Sequence, residues 1–271
     1  MELPGQMKTG KVVALCSAKG GVGQTFLATN LAIALQKKYL SITLVDGKLQ
    51  FGDIAIALDL KTSVTMKDVA EDIARIDHSL ISNYLTNHES GIQVLAAPER
   101  PEHAELVTND VMKKAVHMLK DHYDYTVIDC GYAFHETTLD LLDIANDILV
   151  VTTPDMTALK NTKQLLETFD QLGYTSKIKL VINRYDMEGL IKPEEIPAML
   201  QLPDAEFVSN NFKLASQSLN IGIPVVSRRS GTDLAKDLGR LADCIVKSNH
   251  VDDETESRKE RTKKLWFGRK K

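Results

Sequence analysis

Residues 19–25 decide the fold, and they read Lys19-Gly20-Gly21-Val22-Gly23-Gln24-Thr25. An apolar run, Val12 to Cys16, precedes this stretch, and leucines recur at i, i+4 spacing after it, from Leu27 to Leu35. The first pattern is typical of a buried strand and the second of a helix. Glycines between a strand and a helix let backbone N–H groups converge on anionic oxygens, and the helix N-terminus adds partial positive charge. The stretch therefore predicts a phosphate-binding loop.

The strand–helix pattern continues through most of the chain. Five further short apolar runs are found at Ser41–Val45, Ile92–Ala96, Tyr125–Asp129, Ile148–Thr152 and Ile178–Ile182. Amphipathic helical patterns lie between them, such as the one from Val111 to Lys120. This alternation predicts an α/β fold of the P-loop NTPase kind, with a mostly parallel, doubly wound sheet flanked by helices. Ligands of such sheets bind beyond the carboxyl ends of the strands.

We expect one nucleotide-binding domain over residues 11–248, because no repeat or low-complexity linker divides this range. An N-terminal arm, residues 1–10, precedes it. Residues 249–271 form a charged tail in which the acidic run Asp252–Glu256 is followed by a basic end containing Leu265, Trp266 and Phe267. Three interpretations of this tail stay open: a solvated, flexible segment, a docking peptide for a protein partner, or a membrane contact made by the apolar residues and the basic cluster.

Composition excludes several classes of function. A net charge of −4 argues against specific nucleic-acid binding, because such binding relies on a basic surface. The three cysteines are far apart and form no Cys-x-x-Cys pair, so neither a disulfide framework nor a zinc site is expected. No secretory signal or membrane-spanning run is found. We therefore expect a cytoplasmic protein, either free or peripheral on the inner face of the membrane.

Two side chains in this pattern suit a magnesium site. Thr25 opens the helix after the glycines and can offer its hydroxyl to Mg²⁺. Asp129 ends an apolar strand, which delivers one carboxylate to the carboxyl edge of the sheet. The alternative interpretation of Asp129 is a simple strand-end acid.

Residues 19–25 resemble the deviant Walker A loop, Lys-Gly-Gly-x-Gly-Lys-Thr, of the MinD/ParA family of ATPases, and the resemblance extends from Lys11 to about Lys247. It implies a dimeric protein that binds ATP or ADP with Mg²⁺. Within the family, three segments most resemble the CpaE/TadZ branch, which serves assembly and polar placement of Tad (Flp) pili: Leu49–Asp53, Leu95–Pro101 and Thr152–Asp155. The implied partners are pilus or secretion machinery proteins.

The resemblance also implies roles for single residues. Lys19 corresponds to the signature lysine that reaches the partner's phosphates across an ATP-bound dimer, and Asp129 to the Walker B aspartate. Asp46 corresponds to the first aspartate of an Asp-x-Asp pattern near the Mg²⁺-bound water, and Asn183 to the asparagine that recognises adenine. Turn capping is the alternative role for Asp46 and Asn183. Phe26, next to the loop, completes the expected nucleotide-binding set.

Two positions depart from the family pattern, and both are catalytic in the relatives. Gln24 replaces the second loop lysine, and Lys48 replaces the second aspartate of Asp-x-Asp. Phosphoryl transfer depends on positioning and charge stabilisation, so we expect no catalytic residue here and weak or absent hydrolysis. Together the two changes make the site one unit more positive. Lys48 either turns toward the γ-phosphate, which restores the charge that Gln24 lacks, or points to solvent.

The expected function is an ATP-binding, dimeric localisation and assembly factor for a pilus or secretion machine. One alternative is a cycling ParA/MinD-type ATPase for partition or cell-division positioning. Another is a scaffold whose P-loop is vestigial.

Overall fold

A computed structural model describes residues 9–76, 78–132 and 135–249. Eight strands form one sheet in the order β3-β4-β2-β5-β1-β6-β7-β8, and all neighbours are parallel except β3 and β4. The strands are β1 (Lys11–Ser17), β2 (Ile42–Asp46), β3 (Thr86–Asn87), β4 (Gln93–Leu95), β5 (Tyr125–Asp129), β6 (Asp147–Thr152), β7 (Ile178–Asn183) and β8 (Glu206–Val208).

Helices connect the strands and cover both faces of the sheet. In the described ranges they are α1 (Gln24–Gln36), α2 (Ile54–Ala57), α3 (Met66–Asp72), α4 (Asn109–His122), α5 (Glu136–Ile144), α6 (Met156–Gln171), α7 (Ile196–Met199), α8 (Phe212–Ile221), α9 (Val225–Arg228) and α10 (233–249). None of these helices is long and apolar enough to cross a membrane.

The predicted α/β fold is confirmed. All six predicted strands are present, with ends that differ by at most one residue from the predicted ones. The sequence patterns missed β3 and β8, which have two and three residues and are too short to show a period. The predictions for residues 1–8 of the arm and 250–271 of the tail lie outside the described residues.

The core has two layers, one on each face of the sheet. Along β1, Val12, Ala14 and Cys16 pack into one layer with α4 and α5, while Val13 and Leu15 pack into the other with α1 and α10. A strand buried on both faces reads as a continuous apolar run, which is why β1 was recognisable from sequence. Parallel pairing brings the carboxyl ends of β1, β2 and β5 to one edge, with Asp46 opposite Asp129.

Candidate nucleotide-binding site

The phosphate loop connects β1 to α1, and two of its glycines have left-handed backbone conformations. Gly21 has φ 79° and Gly23, the N-cap of α1, has φ 92°. A Cβ atom at Gly23 would lie 2.4 Å from Nδ2 of Asn183. That amide donates a hydrogen bond of 2.7 Å to the carbonyl of Val22. The loop therefore needs glycine at position 23 both for its backbone angle and for the close approach of β7.

Gln24 lies beneath the loop. Its side chain is buried, and its Nε2 donates to Oδ1 of Asp129 at 2.6 Å and to the carbonyl of Leu15 at 2.8 Å. Its Oε1 accepts a hydrogen bond from Oγ of Ser17 at 2.7 Å. Protein groups thus use both ends of the side-chain amide. Only the backbone N–H of Gln24, at the start of α1, can therefore bind a phosphate.

Lys48 joins the phosphate loop to the ends of β2 and β5. Its Nζ lies 2.5 Å from Oγ1 of Thr25 and 3.3 Å from the Oδ2 atoms of both Asp53 and Asp129. Thr25 in turn donates a 2.6 Å hydrogen bond to Oδ2 of Asp129. Burial alone would lower the pKa of the Lys48 ammonium, but the carboxylates of Asp129, Asp53 and Asp46 outweigh burial and raise it. Lys48 is therefore a fixed, charged member of the site, and the solvent-facing alternative is wrong.

Asp46 is buried at the end of β2 and accepts two backbone hydrogen bonds. Its Oδ1 accepts from the N–H of Lys48 and its Oδ2 from the N–H of Ile54, both at 3.1 Å. Burial and the nearby charge of Asp129 raise the pKa of Asp46 to about 7. Asp46 thus fixes the turn that carries Lys48, as the capping alternative predicts.

The residues predicted for the magnesium site, Thr25 and Asp129 with Asp46 near the bound water, come together at this edge but do not fit the ion as they stand. Mg²⁺ needs oxygen ligands at about 2.0–2.1 Å in octahedral geometry. Here the Thr25 hydroxyl contacts an ammonium, and protein donors engage both oxygens of each carboxylate. Among the described residues, no group of three or more His, Cys, Asp or Glu side chains is arranged to hold a metal ion. An ion at this position would first have to displace Lys48.

Lys19 is paired within its own chain. Its Nζ lies 3.0 Å from Oδ1 of Asp155, the N-cap of α6. Burial alone would raise the pKa of Asp155, but hydrogen bonds from the N–H of Ala158, the Thr153 hydroxyl and Lys19 lower it. A reach across a dimer, as predicted for Lys19, therefore requires this pair to open. The sequence patterns did not identify Asp155 as the partner of Lys19.

A cavity of about 180 Å³ lies beside Gly23 of the phosphate loop. Its lining includes Gly23, Phe26, Asn183, Arg184, Ser209 and Phe212. The hydroxyl of Ser209 is buried and has no hydrogen-bond partner among the described residues, while the guanidinium of Arg184 lies 5.9 Å from the centre of the Phe212 ring. Such a cavity offers an apolar wall and free polar groups to a flat heterocycle. Phe26 and Asn183 were predicted to contact nucleotide, whereas Ser209 and Phe212 carried no sequence signal.

Comparison with known families gives a match over most of the chain. The family model described as an AAA domain, AAA_31, matches residues 10–182. The septum site-determining protein MinD of Synechocystis is 28% identical over 228 residues, which are 80% of this chain and 82% of the relative. MinD of Thermotoga maritima is 27% identical over 241 residues, with 86% and 87% of the two chains covered.

Solved structures share the fold. A ParA family ATPase from Chlorobium tepidum superposes with a TM-score of 0.80 at 25% identity, covering 86% of this chain and 98% of the other. MinD from Pyrococcus horikoshii, solved with Mg-ADP, gives a TM-score of 0.78 at 21% identity and covers 89% and 98%.

Proposed function

We propose that the chain, as a member of the AAA domain family AAA_31 and, with its relatives, of the MinD/ParA group of P-loop ATPases, binds ATP. We further propose that it hydrolyses ATP inefficiently. The phosphates would lie against the backbone N–H groups of residues 20–25, at the N-terminus of α1. The adenine would enter the cavity beside Gly23. Within the described part of the chain, the Asn183 amide donates to the carbonyl of Val22 and its Oδ1 accepts from the N–H of Arg184, so one amide hydrogen and one oxygen lone pair remain for the base.

The position of Lys48 is the main reason to expect slow ATP hydrolysis. An ATPase needs a group that orients the attacking water and charges that stabilise the transferring phosphoryl group. The ammonium of Lys48, which can neither accept a proton from water nor orient it as a carboxylate does, stands 2.5 Å from the Thr25 hydroxyl. The second loop cation of the family is absent, and Gln24 is held beneath the loop by Ser17, Leu15 and Asp129.

Steady-state ATP turnover by the purified protein tests this proposal. We expect turnover well below that of a MinD relative assayed in parallel, both with and without added DNA. Gln24→Lys alone should restore little, whereas Gln24→Lys combined with Lys48→Asp should restore most of the missing activity. Turnover at the relative's rate, abolished by Thr25→Ala, would refute the proposal. Failure to bind ATP at all would favour the vestigial scaffold instead.

We further propose that ATP favours a face-to-face homodimer through Lys19. The lysine is 40% exposed and paired only with Asp155 among the described residues, so it is available to a second copy once that pair opens. Sedimentation velocity with saturating ATP should detect a dimer that Lys19→Ala weakens. A monomer at high protein concentration would contradict this part of the proposal.

The process that the dimer serves is proposed from the segments that resemble the CpaE/TadZ branch. One of them, Leu49–Asp53, follows Lys48 directly, so the segment that resembles this branch borders the nucleotide site. We propose a localisation and assembly factor of a pilus or secretion machine. Gene deletion with complementation tests it: loss of surface pili with normal septum placement supports the proposal, and misplaced septa with normal pili support the cell-division alternative.

A further inference from the structure

The Lys48 side chain is built into the site along its length. Its stem passes Gly131, which has φ 73°, and a Cβ there would lie 2.9 Å from Cγ of Lys48. The backbone N–H of Lys48 is held by Asp46, and its ammonium is held by groups from α1, β5 and the loop after β2. Only 21% of the side chain is exposed. The ammonium is thus directed to one position, beside the first turn of α1.

That position is the one that the oxygens of Thr25 and Asp129 would give to a divalent ion. The Thr25 hydroxyl donates to Asp129 and accepts from Lys48, so one cation already occupies its acceptor side. An ion bound to Oγ1 and Oδ2 at magnesium distance would lie close to an ammonium that is 2.5 Å from Oγ1 and 3.3 Å from Oδ2, and the two cations would repel each other. The ammonium and Mg²⁺ therefore compete for these two oxygens.

Lys48 supplies a positive charge among the carboxylates of Asp46, Asp53 and Asp129. A lysine where the resembling pattern has an aspartate adds two positive units, and Gln24 removes one, so the site gains one positive unit in all. Lys48 is also one of the residues that line an open cleft of about 600 Å³ between its own loop and the segment after β5. A terminal phosphate bound at the N-terminus of α1 would meet this cation first.

We propose that the Lys48 ammonium takes the place of the divalent ion, so that this protein binds nucleoside triphosphate in its metal-free form. The inference rests on the proposed ATP binding and adds the ionic form of the ligand. Lys48 neutralises the terminal phosphate, and Thr25 and Asp129 hold the lysine instead of a metal. The protein would then remain loaded where free Mg²⁺ is scarce.

Calorimetric titration of the nucleotide-stripped, full-length protein with ATP tests the proposal, once in EDTA and once in excess Mg²⁺. We expect the wild-type protein to bind ATP at least as tightly in EDTA as in excess Mg²⁺, because Mg²⁺ complexes free ATP and competes with the ammonium. Lys48→Asp should bind ATP only when Mg²⁺ is present. Lys67→Ala, which removes a surface lysine paired with Glu71, is the matched control and should behave as wild type.

A second measurement does not depend on any variant folding. The wild-type complex with ATP is isolated from Mg²⁺-containing buffer by gel filtration, and its nucleotide and magnesium contents are measured. We expect nucleotide with far less than stoichiometric magnesium. Stoichiometric magnesium, or binding that EDTA abolishes, would overturn the metal-free form while leaving ATP binding intact. No ATP binding in either buffer would overturn both proposals.

Discussion

Replacing Gln24 by leucine should destabilise the fold, because the Gln24 amide donates a hydrogen bond to the buried carboxylate of Asp129. Gln24 makes three hydrogen bonds, to Ser17, the Leu15 carbonyl and Asp129. Two of these partners keep another hydrogen bond after the substitution. The Leu15 carbonyl still accepts from the N–H of Cys130, and the Ser17 hydroxyl can donate to the carbonyl of Lys19. The bond to the carboxylate is the main loss.

The expected cost follows from these contacts. A hydrogen bond to a charged, buried group contributes about 1.5–3 kcal/mol, and the two neutral bonds contribute about 0.5–1.5 kcal/mol each before their partners relax. We therefore expect Gln24→Leu to lower the free energy of unfolding by about 3 kcal/mol. With a urea m-value of about 3 kcal/mol/M for a chain of this size, the unfolding midpoint should fall by about 1 M.

Urea unfolding followed by circular dichroism measures this shift without nucleotide. Gln171→Leu, at the exposed end of α6, is the control and should leave the midpoint unchanged. Gln24→Glu separates charge from shape, since it keeps the size of the side chain and places a second carboxyl against Asp129. It should be more destabilising at high pH than at low pH. A Gln24→Leu midpoint equal to that of the control would refute the assigned role.

Three further outcomes are expected. The pKa of Asp46 is raised from 3.8 to about 7, so ionisation of Asp46 opposes folding. About 4 kcal/mol of stability is therefore present below pH 3.8 and is lost as the pH rises through about 7. Urea unfolding midpoints should fall over this pH range, and the fall should be smaller for Asp46→Asn. Asp155→Asn keeps a helix-capping side chain but removes the ionic partner of Lys19, so sedimentation velocity should show more ATP-dependent dimer; an unchanged dimer fraction would contradict this. Phe212→Ala removes an aromatic wall of the cavity beside Gly23 and should weaken ATP binding about tenfold by calorimetry, whereas an equal affinity would place the base elsewhere.

The sequence predicted the features that depend on local pattern. Each long strand is an apolar run rich in β-branched residues, and the glycines between β1 and α1 need conformations that glycine adopts readily. Asp129 was predictable because it ends a buried strand, and its place in the sheet follows from parallel topology.

The long-range partners of polar side chains could not be predicted from local patterns. Gln24 contacts Asp129 across 105 positions of sequence, and Lys19 contacts Asp155 across 136. Neither pair is visible until the sheet brings β5 and β6 to either side of β1. The polar side of the cavity beside Gly23 depends on the loop after β8, a strand of only three residues. Long-range partners and short edge strands therefore account for what the patterns missed.

The two departures from the family pattern meet at one carboxylate. Gln24 contacts Oδ1 of Asp129 from below, and Lys48 lies beside Oδ2 together with Thr25. Because both contacts exist without nucleotide, Gln24 and Lys48 should be coupled in the stability of the free protein. A double-mutant cycle of Gln24→Lys and Lys48→Ala then separates two origins of coupling, since an interaction energy above about 0.5 kcal/mol is resolvable. Coupling in urea unfolding without nucleotide would come from Asp129, whereas coupling found only in ATP affinity would come from the phosphates. Additivity in both measurements would mean that the two substitutions act independently, and the shared carboxylate would then not link them.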